Sequence, residues 1–325
     1  MNPNGEAIII LCSHLCVGEG VKPLEPREWS KLAQWLRERG MEPRELLEFS
    51  REDFCGQMGC TSEQAERMLR LIGRSASLSF EVSRYRSMGI GLVTRAEEDY
   101  PRRLKQKLGN ACPPIFYYAG NLELLRGPCV GYVGSRSIQA QDLDFTARTV
   151  RKTVERGFAV VSGGAKGVDT AAETEALLQG GGAVVYLADS LMRRIKKKEV
   201  LRAVQEGRLV LLSSVKPDAG FRAGIAMARN RLIYCQSSGT VVVRSDLEQG
   251  GTWSGATECL KHQWSPVFCW DQPEYPGNAA LIARGAIPVD GGWSGDVLAQ
   301  PSLPQAQPPA PQAEERGEQM TLFTN

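Results

Sequence analysis

Between residues 114 and 270 short apolar runs alternate with longer stretches of helical periodicity. The apolar runs fall at 114–118, 129–133, 159–162, 183–188, 209–213, 239–243 and 266–270. Most are continuous rather than alternating, the pattern of strands covered on both faces. The periodic stretches fall at 140–156, 169–179, 194–206, 223–236 and 255–263. This order predicts right-handed βαβ units and an α/β fold: an extended Rossmann-like, mostly parallel sheet with helices on both faces.

The first zone, 1–88, reads differently. After an opening apolar run at 7–12 its periodicity is helical. Residues 26–39 place Trp29, Leu32 and Leu36 on one face, 43–49 reads as a short helix, and 61–72 is stronger. There Thr61 and Gln64 fit a capping box, ahead of a stripe of Ala65, Met68, Leu69 and Ile72. A small all-α domain is expected. The sheet domain then covers 89–294. Residues 295–325 contain PSLPQAQPPAPQ, which has too few large apolar side chains to form a core, so a disordered tail is expected.

Charge narrows the functional classes. The net charge is +2, so a nucleic acid would have to meet a local patch rather than a generally basic surface. The nine cysteines form no CxxC pair, and a metal site is not expected. Scattered thiols, no basic leader and no run of bilayer length predict a cytoplasmic protein away from membranes.

In an open parallel sheet, ligands sit where strands end. Three glycine turns follow predicted strands: Gly134-Ser135-Arg136, Ser162-Gly163-Gly164-Ala165-Lys166-Gly167, and Gly250-Gly251-Thr252. One such turn can be a tight bend and nothing more. Three together, with Arg136 and Lys166, predict an anion site in which free amides and helix dipoles meet phosphate oxygens. Neither the dinucleotide GxGxxG nor the GxxxxGK[ST] spacing occurs at these turns. Arg229-Asn230-Arg231, within 223–236, offers guanidinium contacts or a solvated helix face. The run Arg193-Arg194-Ile195-Lys196-Lys197-Lys198 is a basic patch, which is either a solvated face or a wider nucleic-acid footprint. His14 and His262 carry no catalytic pattern.

The ordered stretches GYVGSRSIQ, VVSGGAKGVDTAA, ARNRLI and GTVVVRSDLEQGGTWSGA resemble the DprA/Smf family of DNA-processing proteins over about residues 89–289. The resemblance implies a single-stranded DNA binder, dimeric, without cofactor, that serves a RecA-type recombinase in transformation or recombination. It assigns one phosphate to Gly134, Ser135 and Arg136. It assigns the next to Ser162, Gly163, Gly164, Lys166 and Gly167, with Asp169 starting the helix or ordering the loop. Arg229 and Asn230 would line the same pocket beside Gly250, Gly251 and Thr252. The sequence departs from the family pattern at Glu173, where a histidine is common, at GGTWSGA, which places Trp253 at the pocket, and at DSLMRRIKK. The terminal QMTLF, with Gln319, Met320, Leu322 and Phe323, resembles the short motif that binds bacterial sliding clamps.

Three functions compete. The leading one is a non-enzymatic single-stranded DNA binder, with bases stacked on aromatics such as Trp253. The second is an enzyme resembling LOG-type nucleoside monophosphate phosphoribohydrolases, with Thr257-Glu258 as a distorted echo of their signature and Glu258 as acid or base. The third is a regulatory component of a defence or toxin-control system, with a toxin partner.

Overall fold

A computed structural model of the chain describes residues 2–293 and 295. The opening apolar run is a helix, α1 (Pro3–Cys12), capped by the Asn2 side chain, which accepts from the Gly5 amide at 2.7 Å. Residues Ala7 to Cys12 are all buried, so no polar face marks the helical period in the sequence. There follow α2 (Pro26–Glu38), a 3-10 turn (Pro43–Glu48), α3 (Arg51–Gly56), α4 (Ser62–Ile72) and α5 (Ser75–Ser87). The capping box of α4 is formed as expected: Thr61 Oγ1 accepts from the Gln64 amide and Gln64 Oε1 from the Thr61 amide. Helix α5 escapes the sequence reading because its buried face is only Leu78, Val82 and Tyr85 in a serine-rich segment.

The sheet region runs β1 (Gly91–Thr94), α6 (Arg102–Leu108), β2 (Ile115–Gly120), β3 (Cys129–Val133), α7 (Ala140–Glu155), β4 (Ala159–Ser162), α8 (Val168–Leu178), β5 (Ala183–Leu187) and α9 (Leu191–Arg194). It continues through α10 (Lys198–Gln205), β6 (Leu209–Ser213), α11 (Ala223–Gln236), β7 (Gly239–Val242), α12 (Gly250–His262), β8 (Val267–Trp270), α13 (Pro276–Ala283) and β9 (Ile287–Val289). The nine strands form one sheet in the order β1-β2-β6-β5-β4-β3-β7-β8-β9. Every pairing from β6 to β9 is parallel; β1 and β2 extend one edge antiparallel. The short edge strands β1 and β9 have no clear sequence signal, and β9 carries Pro288, which only an edge tolerates. The helix predicted at 194–206 is α10 over Lys198–Gln205; residues 195–197 break it from a short helix, α9, that ends where the prediction begins. The one predicted at 255–263 begins earlier, so Gly250-Gly251-Thr252 is the first turn of α12 and not a turn before it.

Alternate side chains of each strand enter different cores. Ala183, Val185 and Leu187 of β5 and Leu209 and Leu211 of β6 join the N-terminal helices and α10 in one cluster. Val184, Tyr186, Val210 and Leu212, on the other face, pack with α11 and α12. Val130, Val160 and Val241 meet α7 and α8 in a third cluster. Among the described residues no helix is long and apolar enough to cross a membrane. The clamp-like residues Gln319, Met320, Leu322 and Phe323 lie outside the described residues.

Candidate functional site

From β3 the chain steps through β4, β5 and β6 in one direction, then returns to lay β7 on the other side of β3. Such a reversal opens a crevice at the carboxyl ends of the two diverging strands. A cavity of about 870 Å³ occupies it. The β3 turn contributes Gly134, Ser135 and Arg136, α8 contributes Asp169, and α11 contributes Arg229 and Asn230. The first turn of α12 closes the far wall with Gly250, Gly251, Thr252 and Trp253.

The β4 turn behaves otherwise. Asp169 Oδ2 accepts from the amides of Gly163 at 3.1 Å and Ala165 at 3.3 Å. Ser162 Oγ accepts from the Gly164 amide at 3.2 Å. Those amides were expected to be free for phosphate; instead the chain's own carboxylate fills the concavity they make. Ser162 and Gly163 are buried and lie behind the cavity wall. A Cβ at Gly163 would fall 1.1 Å from Arg229 Nη1, so glycine is what admits the guanidinium. Gly167, at φ 85°, lets the β4 turn pass against the Ser135 carbonyl, where a Cβ would sit 2.3 Å away. Lys166 is exposed and lines a separate shallow groove between α7 and α8, with Gly167, Leu143 and Thr170. Gly164 likewise lies off the cavity lining.

Asp169 and Arg229 form a buried pair, Nη1 to Oδ2 at 3.7 Å. Burial pushes the Asp169 carboxyl up from its ordinary value and the Arg229 guanidinium down, and each charge opposes the shift of the other. Arg229 Nε and Nη1 have no hydrogen-bond partner among the described residues, although the side chain is only 7% exposed. An anion in the cavity would supply that partner. Arg136 is exposed and enters no ion pair among the described residues; its guanidinium lies 5.4 Å from the Phe221 ring centre.

The start of α12 is open. Gln249, at the N-cap, makes no side-chain cap, so the first-turn amides face the cavity with the positive end of the helix dipole. Asn230 Nδ2 donates to the Gly251 carbonyl at 3.1 Å and fixes this end of α12 against α11. Asn230 thus orders the wall, in addition to lining the cavity.

Trp253 is 9% exposed, under the Arg284 guanidinium at 4.5 Å, and forms wall rather than a stacking platform. Phe221, which the sequence reading did not single out, stands at the rim and is 55% exposed, beside Met227. Arg244 was missed too. It follows β7 as Arg136 follows β3, but it is held by Asp142 at 3.6 Å and by the Tyr275 ring at 5.1 Å. Glu258 pairs with Arg231 at 2.9 Å and does not line the cavity. The departures at Glu173 and in DSLMRRIKK meet: Arg194 Nη2 donates to both Glu173 oxygens, at 2.6 and 2.7 Å.

The family described as DNA recombination-mediator protein A matches residues 91–294. DNA processing protein DprA of Streptococcus pneumoniae is 32% identical over 180 residues, which is 54% of this chain and 60% of that protein. The match therefore spans less than two thirds of the pneumococcal protein's length. DprA of Bacillus subtilis is 25% identical over 220 residues, 66% of this chain and 72% of that protein. The crystal structure of Streptococcus pneumoniae DprA shares the fold at a TM-score of 0.70 and 22% identity, over 93% of this chain and 99% of its own. DNA processing protein A from Helicobacter pylori, described for its single-stranded DNA binding mode, gives a TM-score of 0.52 at 25% identity, over 65% and 94%. The matched segment contains the sheet, its reversal and every wall of the cavity, and the chain belongs to the DNA recombination-mediator protein A (DprA/Smf) family.

Proposed function

We propose that this chain binds single-stranded DNA at the β3/β7 cavity and acts in DNA processing and recombination by holding that strand. One observation carries the reading: an exposed Arg136, with no ion pair among the described residues, and the open first turn of α12 face one cavity whose rim bears the exposed ring of Phe221. Phosphate meets the cation and the amides, and an unpaired base meets the ring. A duplex hides its base faces and offers only the first of these contacts. The binding mode described for the Helicobacter pylori relative supports the same ligand class. Membership of a recombination-mediator family extends the proposal to a RecA-type recombinase as recipient of the strand and to a dimer of this chain.

The test is a titration with single- and double-stranded oligonucleotides at two salt concentrations. Single strands should bind more tightly, with affinity falling as salt rises. Arg136→Ala should weaken binding about tenfold, the scale of one charge-assisted hydrogen bond. Wild-type affinity in that variant, or equal affinity for duplex, would remove the proposal.

A further inference from the structure

The basic run after β5 has no role in the cavity. Arg193, Lys196, Lys197 and Lys198 are all exposed, and among the described residues none has an ion-pair partner. Acidic neighbours are few: Asp189 before the run and Glu199 after it. The neighbouring Arg202 is committed to Glu206 at 2.8 Å. Four uncompensated cations within six residues repel one another, and a polyanion relieves that repulsion.

Their place in the fold gives the run a direction. β3, β4 and β5 are consecutive parallel neighbours, so their carboxyl ends lie side by side on one edge of the sheet. The cavity turn follows β3, the turn with exposed Lys166 follows β4, and α9 with the basic run follows β5. Neighbouring strands are about 4.8 Å apart, which puts the end of β5 about 10 Å from the end of β3. That is roughly three phosphates of a stacked strand at about 3.4 Å each.

The run is also held in position. Arg194, from inside it, reaches back to Glu173, one turn into the helix that begins at the β4 turn. The pair is largely buried, with side-chain exposures of 14% and 5%. Burial pushes the Glu173 carboxyl up from its ordinary value, and Arg194 and, more weakly, Lys197 oppose that shift. A buried, doubly hydrogen-bonded pair fixes geometry more than it adds stability. Here it fixes the exposed lysines of the α9–α10 junction against the flank of α8.

We propose that the α9–α10 segment is a second phosphate-binding stretch, over which a single strand continues from the β3/β7 cavity past Lys166. The proposal rests on the cavity reading above and adds a path and a site length to it. Arg193, Lys196, Lys197 and Lys198 contact backbone phosphates without reading bases, and Glu173–Arg194 is the positioning pair. The site therefore favours strands long enough to reach from one end of this edge to the other.

The experiment compares two probes on the full chain and on the combined variant Lys196→Gln, Lys197→Gln, Lys198→Gln. One probe is a 5′-phosphorylated dinucleotide, which fills only the cavity. The other is a strand of about 12 nucleotides, at about 3.4 Å per phosphate more than the path requires. The variant should bind the dinucleotide like the wild type but the longer strand more weakly. Its log–log salt slope for the longer strand should drop by about 2, from three contacts at about 0.7 each. An unchanged slope and affinity for the longer strand, with dinucleotide binding intact, would overturn this proposal and leave the cavity reading standing. Failure of the wild type to bind either probe would overturn both. The same lysines next to the half-exposed Leu201 would also suit an anionic membrane surface. Loss of binding to phosphatidylserine vesicles in the variant, with the longer strand unaffected, would replace nucleic acid by membrane.

Discussion

Two glycine-rich segments border the same sheet edge and do opposite things. The β4 turn, Ser162 to Gly167, bends around Asp169, which accepts two of its amides. The first turn of α12, Gly250 to Trp253, has no side chain capping it among the described residues and opens into the cavity. Both begin with small residues; one leads into a helix and the other is the start of one. The difference is a carboxylate six residues downstream of Gly163 that folds back on the turn. A concavity of amides binds whichever anion is nearest, and in the β4 turn that anion is covalently attached. Glycine content alone therefore does not show whether a turn is open to a ligand.

The largest effect should come from breaking the closed turn. Arg229→Met leaves the buried Asp169 carboxylate unpaired and should cost about 3–5 kcal/mol of stability, read by urea unfolding. The pH dependence has a definite sign. A carboxyl whose folded pKa is raised opposes folding once it ionises, so its cost is present at neutral pH and is relieved as pH falls through the folded value. The deficit of Arg229→Met should therefore shrink as pH falls from neutral through the raised folded value. A constant deficit would mean that Asp169 is not the group left exposed by the change.

Next comes Gly163→Ala, which places a methyl on Arg229 Nη1. It should destabilise by about 1–3 kcal/mol, the range for overpacking a filled site. A shift within about 0.5 kcal/mol would show that the guanidinium has room to move and that the closed turn is less rigid than its contacts indicate. At the open end, Gly251→Ala brings a Cβ to 2.9 Å from Asn230 Nδ2, the donor that fixes α12 to α11. The side-chain amide can give way. Stability should fall by less than about 1 kcal/mol, while oligonucleotide affinity drops several-fold as the amides shift. Smallest is Lys166→Ala. It should leave stability within about 0.5 kcal/mol and dinucleotide binding unchanged, because the side chain lines another groove. A large loss of dinucleotide affinity would return the β4 turn to the binding surface.

Much of the fold is legible in the sequence because buried parallel strands are written as apolar runs. Cys129–Val133 and Leu209–Ser213 coincide with β3 and β6. The helix at 61–72 is legible through its capping pair. β1 and β9 are edge strands of four and three residues, too short for a pattern. α1 is hidden by its complete burial, and α5 by its serines. At the site, Gly134, Ser135, Arg136 and Thr252 can be placed from strand ends and helix starts, and Asn230, in the middle of α11, only through the family resemblance. Phe221 cannot, because a lone aromatic in a loop has no local signature. The role of Asp169 is only half legible: the family resemblance suggests that it starts the helix or orders the loop, but the number of amides it occupies depends on where the chain turns back. Glu173 and Arg194 each look like a separate departure from the family pattern, and only the packing of α9 on α8 makes them one.

The core that joins the N-terminal helices to the sheet has a further consequence. Ile115, Tyr117, Val185, Leu209 and Leu211 are buried in the cluster that contains Ile8, Leu32 and Leu71. Residue 88 is thus a border in composition that the hydrophobic packing crosses. A chain shortened there would lay bare the faces of β1 and β2 that α1 and α5 cover, the first of them an edge strand open to pairing with another molecule. The helical segment serves as the outer layer over this end of the sheet, and deletion experiments that treat it as a detachable module would read out aggregation in place of function.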